Sequence, residues 1–167
     1  MTSIIRTATL AALIAATATA GHAQVTRTYA GTFPIATSVH APAGSDIVWV
    51  SGAIASPLDP AKPADLGNTE QQTLSVLTKL QAALKAEGMT LGDVTMMRVY
   101  LAGDPALGGK MDFKGMMASY VKFFGTPEQP NKPARVAMQV AALALPTALV
   151  EIEVQAAKAP KTAAKKK

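Results

Sequence analysis

Two rhythms of apolar residues run along the chain, one of period two and one of helical spacing, separated by clusters of turn formers. Ile47-Val48-Trp49-Val50-Ser51-Gly52 follows the turn Pro42-Ala43-Gly44-Ser45-Asp46 and predicts a buried strand; a shorter strand is expected around Val25 to Tyr29. Pro57, Pro60 and Pro63 exclude regular structure from the loop that follows. From Thr69 to Glu87, Leu74, Leu77, Leu80, Ala83 and Leu84 recur on one helical face. Asn68 or Thr69 offers the N-cap, Gln71 or Gln72 the reciprocal partner, and Gly88 the stop.

A strand is predicted over Val94 to Leu101, with Arg98 exposed or paired within it. Asp104-Pro105 and Gly108-Gly109 then form a turn. Asp112 caps a second predicted helix that runs to Phe124 and ends at Gly125. Its Met116, Met117, Tyr120, Phe123 and Phe124 form an apolar stripe of the kind that packs a core. Two more apolar strands close the chain: one opens at Arg135 after Pro133, and the other is Leu149-Val150-Glu151-Ile152-Glu153-Val154. This order predicts an α+β protein, one mixed β-sheet with two helices packed on one face. The uncovered face then needs a partner, and self-association is the simplest cover.

The ends of the chain have a different composition. Arg6, an apolar run from Thr7 to Ala20 and the small residues Gly21 and Ala23 read as a secretory leader over residues 1–23, cut before Gln24. A periplasmic or secreted location follows, with the domain expected over 24–157 and a disordered Lys/Ala-rich tail over 158–167. The formal charge of +5 comes from that tail, where Lys158, Lys161, Lys165, Lys166 and Lys167 lie among no acids; the other 11 basic residues balance the 11 acidic ones. A near-neutral body argues against a nucleic-acid surface. With no cysteine in the chain, thiol catalysis, thiolate metal sites and disulfides are all excluded.

Few residues remain for chemistry. His22 leaves with the leader, which makes His40, in an expected turn, a surface residue with no nearby nucleophile elbow. A lone histidine argues against a histidine metal site, and the glycines of 103–109 lack a phosphate-loop pattern. Arg135, Glu151 and Glu153 are left. Arginine holds a carboxylate in two parallel hydrogen bonds, and a carboxylate beside it can orient water or move a proton. If the last two strands form a hairpin about Ala144 to Pro146, Arg135 falls opposite Glu151 or Glu153. The spacing fits such a site and fits a plain cross-strand ion pair equally.

The order of motifs narrows the choice. Ser51-Gly52 ends a strand, Asn68-Thr69-Glu70-Gln71-Gln72-Thr73 opens a helix, and Gly92-Asp93-Val94 leads to Val99-Tyr100-Leu101. Asp112-Phe113, Tyr120 and Phe123-Phe124-Gly125 follow. Then come Pro133-Ala134-Arg135, Gln139-Val140-Ala141-Ala142-Leu143 and Val150-Glu151-Ile152-Glu153. Over about residues 25–157 this resembles the Rid (YjgF) family of reactive-intermediate deaminases. The resemblance implies a chorismate-mutase-like fold and a homotrimer with sites between subunits. It also implies hydrolysis of 2-imino or 2-enamino acids to 2-keto acids and ammonia, without metal or cofactor. In that reading Arg135 clamps the substrate carboxylate, Glu151 places the attacking water, and Ala137, Ser51 and Gly52 line the pocket. Ile35, Met117 and Ala137 stand where active members carry tyrosine, asparagine, and serine or cysteine. The alternative is a non-catalytic trimer that binds a small carboxylate or a partner in the same clefts. Neither nucleic acid nor a membrane is an expected partner.

Overall fold

The structure, a computed structural model, describes residues 23–160. The expected leader, apart from Ala23, and the tail beyond Pro160 lie outside the described residues. Two short strands, β1 (Thr26–Thr28) and β2 (Ser38–His40), pair antiparallel beside the main body. The body comprises β3 (Asp46–Ile54), α1 (Thr69–Ala86), β4 (Val94–Leu101), α2 (Phe113–Tyr120), β5 (Ala134–Gln139) and β6 (Val150–Lys158). Its sheet has the order β3-β6-β4-β5, with β6 antiparallel to both neighbours and β5 parallel to β4.

This is the expected α+β sheet with two helices, but its last strands are not a hairpin. β6 lies between β3 and β4, and β4 separates it from β5. Two causes combine. The chain from β4 to β5 passes through α2, and a helical crossover brings a strand back parallel to its predecessor. β6 in turn has a wholly apolar inner face, with Val150, Ile152 and Ala156 at 0% exposure, and a slot between two strands buries such a face well. The loop 140–149 carries the chain past β4; β5 stops at Gln139, short of the apolar run that continues to Leu143.

α1 forms because its first turn is closed by a capping box. Gln71 N–H donates to the Asn68 side chain and Asn68 N–H donates to that of Gln71, each at 3.0 Å. Gly88 takes the left-handed conformation just past the end, at φ 69°. Val76, Leu77, Leu80 and Leu84 fill the core; Leu74, expected there, is exposed, and Thr73 is buried in its stead with its hydroxyl on the Thr69 carbonyl. Each such aliphatic side chain contributes about 1.5–3 kcal/mol by burial. α2 ends at Tyr120, four residues before the expected stop, and continues as turns to a left-handed Gly125. His40 closes β2 rather than lying in a turn, and it is exposed. Lys158, expected to begin the tail, is the last residue of β6, and its ammonium donates to the Gly88 carbonyl.

Buried Gln72 ties α1 to the entry of β6. Its amide nitrogen donates to the carbonyls of Gly67 and Thr147, and its oxygen accepts from Leu149 N–H at 2.7 Å. Glu151 begins two residues later.

Candidate active site

β5 is an edge strand, and its register on β4 decides where its side chains point. Arg135 pairs with Met97 and Ala137 with Val99, both wholly buried, so Arg135 and Ala137 share the helix-covered face. The Arg135 guanidinium lies 4.3 Å from the ring centre of Tyr120, 5.7 Å from Phe33 and 5.8 Å from Phe113. Its Nη1 donates to Met117 Sδ at 3.2 Å. The Tyr120 hydroxyl donates instead to the Pro34 carbonyl at 2.8 Å, which holds the loop carrying Phe33 over the arginine. Ala36 N–H on the Pro133 carbonyl, at 2.8 Å, pins the end of that loop to the start of β5.

Burial pulls the Arg135 pKa below the ordinary arginine value, and the nearby Tyr120 only partly opposes it. Burial likewise pushes the Tyr120 phenol up, against the pull of the cation. Each ring face returns about 0.5–2 kcal/mol of cation–π attraction, but none supplies the negative charge that would neutralise the group. Among the described residues no carboxylate pairs with Arg135; the ion pairs are Arg98 with Glu153, Lys122 with Glu70, and Lys158 with Asp93.

Glu151 belongs to the other face. It pairs with Tyr100 on β4 and alternates with the buried Val150 and Ile152, so it stands with Glu153 and Gln155 on the side without helices. Its carboxylate packs against the Cα of Gly52, where any side chain would collide with it. The β3–β6 register shifts between Val50 and Ala53, so Ser51 and Gly52 form a bulge with no partner on β6. Glu151 has neither a hydrogen-bond donor nor a basic partner among the described residues. Glu153, its equal in the sequence pattern, is committed: Arg98 Nη1 donates to it at 2.9 Å and the Tyr100 hydroxyl at 3.2 Å. Arg98 is therefore a paired strand residue.

The five expected site residues thus form two groups. Glu151, Ser51 and Gly52 come together on the uncovered face, and Arg135 and Ala137 on the covered one. The pairing of Arg135 opposite Glu151 or Glu153, which assumed the hairpin, does not occur within one copy. Three clefts in a single copy, of about 320, 170 and 390 Å³, are lined by neither Arg135 nor Glu151. Among the described residues no group of three or more His, Asp or Glu could hold a metal ion, and no helix is long and apolar enough to cross a membrane.

The sequence does not mark Phe33 or Phe113 as arginine neighbours; Tyr120 reads as core, and Met117 reads both as core and as the residue at the family's asparagine position. Helical spacing did place Met117 and Tyr120 on one face. Nothing in the period of the chain brings Phe33 to them, since that contact depends on the loop between β1 and β2.

A mixed four-stranded sheet, two helices on one face and a site divided between both faces define an α+β protein whose candidate chemistry is incomplete in one copy. The chain belongs to the endoribonuclease L-PSP family, also called Rid, YjgF or RutC, whose model matches residues 28–158. It is similar to a RutC family protein of Saccharolobus solfataricus, 38% identical over 68% of this chain and 80% of that one. It is also similar to the 3-aminoacrylate deaminase RutC of Acinetobacter baylyi, 35% identical over 71% of this chain and 85% of the other. Among solved structures it resembles E. coli TdcF with bound serine, with a TM-score of 0.54 and 28% identity over 71% of this chain and 84% of that one.

Proposed function

We propose that the protein hydrolyses reactive 2-imino and 2-enamino acids to 2-keto acids and ammonia, in clefts between the subunits of a homotrimer. One observation carries this reading: Arg135 and Glu151 are complementary charges, each without a charged partner among the described residues, that face opposite sides of one sheet. Assembly that sets the uncovered face of one copy against the β5 edge of the next would bring the Glu151 of the first to the Arg135 of the second. The relative called 3-aminoacrylate deaminase supports hydrolytic deamination, and the serine bound by E. coli TdcF supports a small ligand with a carboxylate.

In this mechanism Arg135 receives the substrate carboxylate in a two-fold hydrogen bond and so fixes the position of C2. Ala137 and the bulge at Ser51 and Gly52 form walls of the pocket. Glu151 accepts a proton from water as its oxygen attacks C2, and the C=N electrons pass to nitrogen. The proton is returned to nitrogen to give the carbinolamine; Glu151 then carries the hydroxyl proton to the amine, the C=O bond forms as the C–N bond breaks, and ammonia leaves the 2-keto acid. An imine is already electrophilic, so positioning beside a held water supplies most of what is needed. An enamine enters the same path once its β-carbon is protonated. The apolar run before Gln24 supports an exported location for the reaction.

The apolar character of Met117 and Ala137 favours a second reading, a non-catalytic trimer that binds small carboxylates at the same clefts. Hydrolysis of 2-iminopropionate separates the two. The deaminase reading expects turnover above the buffer rate and its loss in Arg135→Ala; a wild-type rate equal to buffer leaves only the binding protein.

A further inference from the structure

The surroundings of Arg135 select among acids by more than charge. Tyr120 covers the guanidinium, Phe33 and Phe113 approach it at 5.7 and 5.8 Å, and the atom it bonds is a thioether sulfur. The one hydroxyl among these groups, that of Tyr120, already donates to the Pro34 carbonyl. Ala137, two residues along the same face, adds a methyl group. A carboxylate docked on Arg135 therefore finds its hydrogen bonds, while the atoms beyond C2 meet carbon and sulfur on this side of the pocket. Phe33 is 46% exposed, so an apolar group seated against it removes further apolar surface from water.

Resting on the reading of Arg135 as a carboxylate clamp, we infer that the protein prefers 2-imino and 2-keto acids with a branched or aromatic carbon body over those bearing a hydroxyl or a second charge. A hydroxyl placed against Phe33 and Met117 would lose its water without gaining a partner. An isobutyl group placed there has no polar atom to desolvate. Met117 and Phe33 are then the residues that set specificity.

Calorimetric binding of 4-methyl-2-oxopentanoate, pyruvate and 3-hydroxypyruvate to the full protein tests this, alongside hydrolysis of imines made in situ from leucine and serine by an amino-acid oxidase. The branched acid is expected to bind at least about tenfold tighter than the hydroxylated one, the scale on which apolar pockets discriminate. Phe33→Ser, at an exposed position, and Met117→Asn are each expected to narrow that ratio by about threefold or more. Equal or inverted affinities in the wild type overturn the inference, as does a ratio that neither substitution moves. If no imine is hydrolysed while the binding ratio holds, the deaminase reading falls and the preference stands. Binding of these acids that is indifferent to Arg135→Ala removes the clamp and the inference with it.

Discussion

Arg135 on β5 and Glu151 on β6 point to opposite faces of one sheet, with β4 between them. A parallel crossover sets the first on the edge strand under α2, and the apolar inner face of β6 turns the second outward. No rotamer change within one copy joins them. The proposed reaction, which uses both, would draw them from two molecules.

Mixing inactive subunits tests that division directly. Arg135→Ala and Glu151→Gln are each expected to be inactive alone. Co-refolded at equal amounts, they should recover roughly a quarter of the wild-type rate, because about one interface in four pairs an intact arginine with an intact glutamate. A mixture as inactive as its components would place both residues' roles within a single chain.

Gly52→Ala separates binding from chemistry. The added methyl group meets the flexible end of Glu151, so the side chain moves and the fold remains. We expect a melting temperature near that of the wild type, keto-acid affinity within about threefold and a turnover loss of about 10²-fold, the scale on which a positioned proton-transfer group contributes. An unchanged turnover number would remove Glu151 from the reaction.

Arg135 burdens the fold that carries it. Its folded pKa lies below its unfolded value because burial disfavours the charge, so the cation costs stability at every pH where arginine is protonated. That cost is relieved only as pH rises through the arginine range, outside ordinary conditions. Arg135→Met should therefore melt at or above the wild-type temperature while losing carboxylate binding. A clear drop in melting temperature would mean that the aromatic contacts outweigh desolvation.

Gln72→Leu should act through placement. Leu149 N–H and the carbonyls of Gly67 and Thr147 lose their partners together, which costs about 2–4 kcal/mol. Chemical denaturation measures this loss, and a change under about 0.5 kcal/mol would show that the entry of β6 does not depend on Gln72.

The elements were legible in the sequence because each has a short-range cause: the Asn68 cap, the left-handed Gly88, the alternation of Val150, Ile152 and Val154. Alternation also told which face each glutamate takes, though not that Arg98 and Tyr100 would claim Glu153 and leave Glu151 unpaired. Strand neighbours were not legible. Period two states what is buried and not what it pairs with, so a hairpin and a strand threaded past β4 look alike along the chain. The aromatic ring around Arg135 was hidden for the same reason, since Phe33 arrives through a loop whose hydrogen bonds to Tyr120 and Pro133 are long-range.

Trp49 is the chain's single tryptophan, and it stands 69% exposed on the uncovered face beside Gln155. If copies associate through this face, as proposed, the molecule carries its own optical gauge of assembly. An indole in water emits at longer wavelength than one packed against another copy, so dilution through the association range would read out as a red shift. One emission spectrum against concentration would report, without a label, when the two halves of the site are in contact.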